Sequence, residues 1–127
     1  MVTHAALRLI AFLGGVAIAV GGASGASAHA FMLKANPRVG SQVAASPSEV
    51  RMWFSEKLEP RFTSVTISGA ADQPMHEGTM RVEGPDQQQL VLPIPAALAP
   101  GKYHVRWKVV SADSHATKGD FTFSVGR

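Results

Sequence analysis

The stretch KYHVRWKVV, residues 102–110, decides the fold. Tyr103, Val105, Trp107 and Val109 alternate with His104, Arg106 and Lys108. In an extended chain successive side chains point to opposite faces, so this spacing puts four large apolar groups on one side and an imidazole and two cations on the other. A helical turn would scatter both sets around its circumference. The segment therefore predicts a β-strand with one buried and one wetted face. The same two-residue period recurs on either side. In residues 50–55, Val50, Met52 and Phe54 interleave with Arg51, Trp53 and Ser55, and Trp53 on the outer side predicts that both faces are partly covered. In residues 62–68, Val65 and Ile67 sit between Ser64, Thr66 and Ser68. Leu90, Leu92 and Ile94 alternate too, with Pro93 marking an edge or a strand end because it has no N–H to give a ladder. Phe121, Phe123 and Val125 form a last apolar face on a strand expected to start near Gly119.

Turn residues punctuate these runs: Asn36-Pro37, Ser46-Pro47-Ser48, Gly69, Gly84-Pro85-Asp86 and Ala99-Pro100-Gly101. No long helical period follows Ala28, and there is no internal repeat or low-complexity tract. Short strands separated by turns predict an all-β, antiparallel sandwich or barrel. Met32 and Met52 read as core, and His104, among charged neighbours, as surface.

The chain has 127 residues, enough for one small domain, and no cysteine, which removes disulfides and thiolate metal sites. Its formal charge of +3 is spread without a basic run, so nucleic-acid binding is not expected. Residues 1–28 have the three parts of a secretory leader. Arg8 gives a positive start, helped by His4. Leu9 to Val20 is apolar, and Ala26-Ser27-Ala28 fits the small-x-small rule of signal peptidase. The apolar run is short for a bilayer span and is interrupted by Gly14-Gly15 and Gly21-Gly22, so no stable membrane insertion is expected after cleavage. No Arg-Arg pair supports the twin-arginine route. Cleavage after Ala28 leaves residues 29–127, roughly 100 residues, which suffices for an independent core. The mature chain would then begin His29-Ala30-Phe31.

That start changes the chemistry of His29. A free α-amine and the Nδ1 of the same residue can close a chelate ring on a metal. The amine has an ordinary pKa of about 8, so giving up its proton near neutrality costs little. In VVSADSHATKGDF, residues 109–121, Asp113 and His115 are two apart, and in extended backbone they would face the same way. Alone, an Asp-x-His pair more often serves turn formation and solvation. With His29 it offers three nitrogens and one oxygen, a set that suits tetragonal Cu(II), with Zn(II) as the competitor that prefers tetrahedral sites. Met75, His76 and Met80 in ADQPMHEGTM, residues 71–80, could supply soft ligands to Cu(I), or be a polar loop with methionines that fill the core.

From residue 29 onward the chain resembles the CopC-like copper-resistance proteins. The resemblance rests on HAFMLKANPRVGSQVAASPSEVRMWFSEKLEP, residues 29–60, and PGKYHVRWKVVSADSHATKGDFTFSV, residues 100–125. Within them stand a His after the cleavage site, Asn-Pro-x-x-Gly-Ser, Phe-Ser-Glu and Ser-x-Asp-x-His. The resemblance implies a cupredoxin-like or immunoglobulin-like Greek-key β-sandwich of seven to eight strands that binds copper in the periplasm, or as a secreted protein where there is no outer membrane. It implies Cu(II) ligation by His29, Asp113 and His115, with Glu56 at or beside the site as a residue that tunes a ligand. It also implies a partner, an inner-membrane copper transporter of the CopD type, and a monomeric, non-enzymatic copper carrier. Met-rich members of the family bind Cu(I), but here that stretch carries only Met75, His76 and Met80.

Two other readings compete. A copper enzyme with a histidine-brace centre would also use an N-terminal His and a second His, but Asp113 would fill a coordination position and favour Cu(II), against oxygen activation by Cu(I). A metal-independent β-sandwich interaction module is the other, since a fold by itself does not settle function.

Overall fold

In the computed structural model the alternating segments become strands. The structure describes residues 29–73, 75 and 79–126; the expected leader, residues 1–28, and His76 lie outside the described residues. Eight strands are present among them: β1 (Met32–Asn36), β2 (Gln42–Val43), β3 (Glu49–Phe54), β4 (Ser64–Ser68), β5 (Arg81–Glu83), β6 (Gln89–Pro93), β7 (Gly101–Val110) and β8 (Ala116–Val125). They form two four-stranded sheets, β1-β3-β6-β5 and β2-β8-β7-β4. The expected β-sandwich is what forms. No helix among the described residues is long and apolar enough to cross a membrane.

β7 and β8 pair antiparallel along their whole length, with Tyr103 opposite Phe123, Val105 opposite Phe121 and Trp107 opposite Gly119. Their inward residues meet those of the other sheet. Val50, Met52, Phe54, Leu90, Leu92, Val105, Val109 and Phe123 are all at most 1% exposed. Fully burying one such side chain stabilises the fold by about 1.5–3 kcal/mol, which is why the two-residue period is so strongly specified. Met52 is core as expected, and Met32 packs partly buried against it. Trp53 lies on the outer side under the Lys34 ammonium, 4.6 Å from the ring centroid, so that face is indeed part-covered. Pro93 ends β6. His104 stands on the outer face of β7, where its Nε2 pairs with the Asp120 carboxylate.

Four features were not anticipated. β2, two residues long, pairs parallel with β8, which corrects the expectation of a wholly antiparallel sandwich. β1 has a bulge between Met32 and Lys34, which breaks the period that would have announced it. β5 is only three residues long. β8 starts at Ala116 rather than near Gly119. Its first inward positions are Thr117 and Gly119, and neither carries an apolar group to extend the pattern. Gly119 is small for a reason: a Cβ there would lie 2.4 Å from Trp107 Cζ2, so the indole occupies the space a side chain would need.

The ends of three segments collect at one end of the sandwich. The chain after β3 is tied to the β7–β8 connection by a Leu58–Ser111 bridge, by Glu59 N donating to Val110 O (2.8 Å) and by Ala112 N donating to Lys57 O (2.9 Å). The residues before β1 lie against both.

Candidate metal centre

Residues 111–115 are a tight turn between β7 and β8, not a continuation of a strand. Ser111 N donates to His115 O (2.9 Å) and Ser114 N to Ser111 O (2.8 Å). Ser114 takes a left-handed conformation, φ 75°. Asp113 and His115 are therefore brought together by the turn, and the extended-backbone reason for their adjacency is corrected. The adjacency itself holds: Asp113 Oδ2 lies 3.1 Å from His115 Nδ1, with both side chains about half exposed.

The buried Ser111 hydroxyl donates to Asp113 Oδ1 and lies 3.2 Å from the His115 carbonyl oxygen. That hydroxyl, and after it the His115 ring, hold the Asp113 carboxyl below the usual carboxylate range. Asp113 is thus an anion throughout the neutral range. Its contact with Nδ1 orients the His115 ring.

His29 stands beside this turn. Its ring centroid is 4.9 Å from that of His115, the planes inclined at 69°. His29 Nδ1 is buried and has no hydrogen-bond partner among the described residues. A buried, unpaired imidazole nitrogen costs free energy unless something not yet present satisfies it. Nδ1 is also the nitrogen that can close a ring with the residue's own α-amine. Two imidazoles thus stand side by side, with a carboxylate on the second, and these are the types of donor that borderline divalent metals accept.

Two hydroxyls fasten the backbone of the two residues after His29, and neither was singled out in the sequence. Ala30 is fully buried and its carbonyl accepts from Thr117 Oγ1 (2.8 Å). Phe31 N donates to Ser55 Oγ (2.8 Å), and Ser55 N returns a bond to Phe31 O (2.9 Å). Ser55 lies within Phe-Ser-Glu, and Thr117 is two residues past His115, so the motifs bordered both.

The other candidates fall as follows. Glu56 is exposed and shares a small cleft of about 150 Å³ with Lys57, Ser111, Ala112 and Asp113. This sets it beside the turn. Met75 and Met80 are half-buried and pack against the core, and with His76 outside the described residues the Cu(I) expectation gains no geometric support. Among the described residues no group of three His, Asp or Glu side chains is placed to hold a metal ion by itself. The centre is a pair of imidazoles with an ionised carboxylate on the second.

A family model described as the CopC domain matches residues 32–126. The chain belongs to the CopC family. Relatives agree. Protein YobA of Escherichia coli is 39% identical over 98 residues, covering 77% of this chain and 79% of the relative. Copper resistance protein C of Pseudomonas syringae pv. tomato is 32% identical over 105 residues, covering 79% and 82%. The crystal structure of CopC from Methylosinus trichosporium OB3b superposes with a TM-score of 0.70 at 33% identity, over 76% of this chain and 93% of that one. The CopC family is one of copper-resistance proteins, not of enzymes, so the oxidative-enzyme reading is set aside. The CopC match begins three residues after His29, so the centre's first residue stands just outside it.

Proposed function

We propose that this CopC-family domain, once cut after Ala28, holds Cu(II) outside the cytoplasm through the α-amine and Nδ1 of His29 and the imidazole of His115. Asp113 supplies the negative charge and an oxygen donor as its contact with His115 is exchanged for the metal. Glu56, beside the turn, tunes the site from outside the ligand set. The observation that carries this reading is the His29 Nδ1, buried and without a hydrogen-bond partner among the described residues, next to the His115 ring. A nitrogen-rich set with one anionic oxygen favours Cu(II) over the softer Cu(I), and copper stands highest among first-row divalent ions for such donors. Copper is the cargo. The protein buffers it, confers resistance, or passes it as a monomer to an inner-membrane transporter of the CopD type. The compartment is the periplasm, or the exterior where no outer membrane exists.

A ligand that binds only the folded state must stabilise it. At free Cu(II) a thousandfold above Kd the stabilisation is about 4 kcal/mol, which for a domain of this size raises the melting temperature by roughly 15–30 °C. Differential scanning calorimetry of the chain beginning at His29, with and without Cu(II), measures this. An unchanged melting temperature would remove the proposal and favour the metal-independent module.

A further inference from the structure

We infer that Thr117 and Ser55 are positioning residues for the copper site, a two-point clamp that fixes the mature N-terminus against the His115 turn. This rests on the Cu(II) reading above and deepens it. Residues 29–31 precede β1, and their only backbone pairing among the described residues is the Ser55 N–Phe31 O bond that continues the β1–β3 register by one residue. Their backbone is fastened from both sheets. Ser55 follows the last residue of β3 and binds both the N–H and the carbonyl of Phe31. Thr117 lies in β8 and donates to the carbonyl of Ala30. The N-terminal segment thus bridges the open end of the sandwich, with one bond set on each sheet.

The positions of the two anchors give them this role. Thr117 is two residues beyond His115, and its hydroxyl ends on the residue next to His29. One short path, His115–Thr117–Ala30–His29, therefore sets the distance between the two imidazoles. Ala30, between the two bonded groups, is fully buried in the core. A terminal residue is ordinarily free to fray, and a frayed His29 would have to be ordered each time copper binds. Bonds already made in the metal-free protein remove that ordering cost and restrict the ring to one side of His115. Thr117 occupies an inward position of β8 where an aliphatic residue would pack at least as well. A hydroxyl there has the Ala30 carbonyl as its partner.

The test uses the chain beginning at His29 and three variants: Thr117→Val, which keeps the shape and removes the donor, Thr117→Ser, which keeps the donor, and Ser55→Ala. Cu(II) affinity is read by competition with a chromophoric chelator. Copper geometry is read by electron paramagnetic resonance, and metal-free stability by thermal melting. The clamp predicts that Thr117→Val weakens Cu(II) by roughly tenfold and alters the copper hyperfine splitting. Thr117→Ser should restore both, and Ser55→Ala should weaken binding in the same direction. A Thr117→Val protein, or if that variant does not fold a Ser55→Ala protein, with wild-type affinity and spectrum would overturn the clamp while leaving the copper site standing. So would a weakening that Thr117→Ser fails to restore. If the wild-type chain takes up no Cu(II), the underlying reading fails, and the clamp with it.

Discussion

His115→Ala, made in the chain that begins at His29, is expected to lower Cu(II) affinity by about two orders of magnitude or more, because in the proposed ligand set it removes one of the tethered donors and leaves a simple N-terminal chelate. The substitution is clean as a test. His115 is more than half exposed, and its backbone carbonyl keeps its bond from Ser111 N (2.9 Å). Metal-free stability is therefore expected to stay within about 0.5 kcal/mol of wild type. Asp113→Ala is expected to cost less, about tenfold, and to shift the copper spectrum through the loss of an anionic oxygen. Ser111, deprived of its acceptor in that variant, still has the His115 carbonyl within reach (3.2 Å). Competition titration of both variants checks the order. Equal losses would mean that Asp113 is as much a ligand as His115. No loss in either would move the copper away from this turn.

Gly119→Ala should produce the largest change in stability without touching a copper donor. The new methyl group would sit 2.4 Å from Trp107 Cζ2, 2.9 Å from Cε2 and 3.1 Å from Cη2. The indole cannot retreat inward, because its ring meets Phe54 edge-on at 5.0 Å and Phe54 is itself 1% exposed. Overpacking of this kind costs about 1–3 kcal/mol, which for a domain of this size lowers the melting temperature by roughly 5–20 °C. Thermal melting followed by circular dichroism measures it. A wild-type melting temperature would show that Trp107 can swing aside freely.

Gly119 also shows where a sequence stops being readable. The strand at residues 102–110 was plain because its inward positions are filled with Tyr, Val, Trp and Val. Its partner β8 was legible only from Phe121 onward. The Trp107 indole fills the space a side chain at the paired position 119 would need, so that residue has to be small, and hydrophobic alternation disappears there. β1 was hidden by its bulge and β5 by its length. Of the proposed site, His29, Asp113 and His115 could be named from the small-x-small pattern and the Asp-x-His spacing, and the fold does bring the His29 ring beside His115 and Asp113 onto His115. The geometry of Asp113 and His115 was not legible, because a turn with one left-handed serine joins them rather than a strand. Thr117 and Ser55 could not be found by spacing at all. Each bonds to backbone atoms, 87 and 24 residues away along the chain, and carbonyls and amides carry no sequence signature.

The central claim is that copper is held by an amine that exists only after cleavage at Ala28. The measurement is a Cu(II) titration, with electron paramagnetic resonance, of the chain starting at His29 beside the same chain with one residue added before it. The account predicts one tight, nitrogen-rich tetragonal copper in the first and a loss of affinity of about two orders of magnitude in the second. Equal affinity and identical spectra in the two proteins would contradict it.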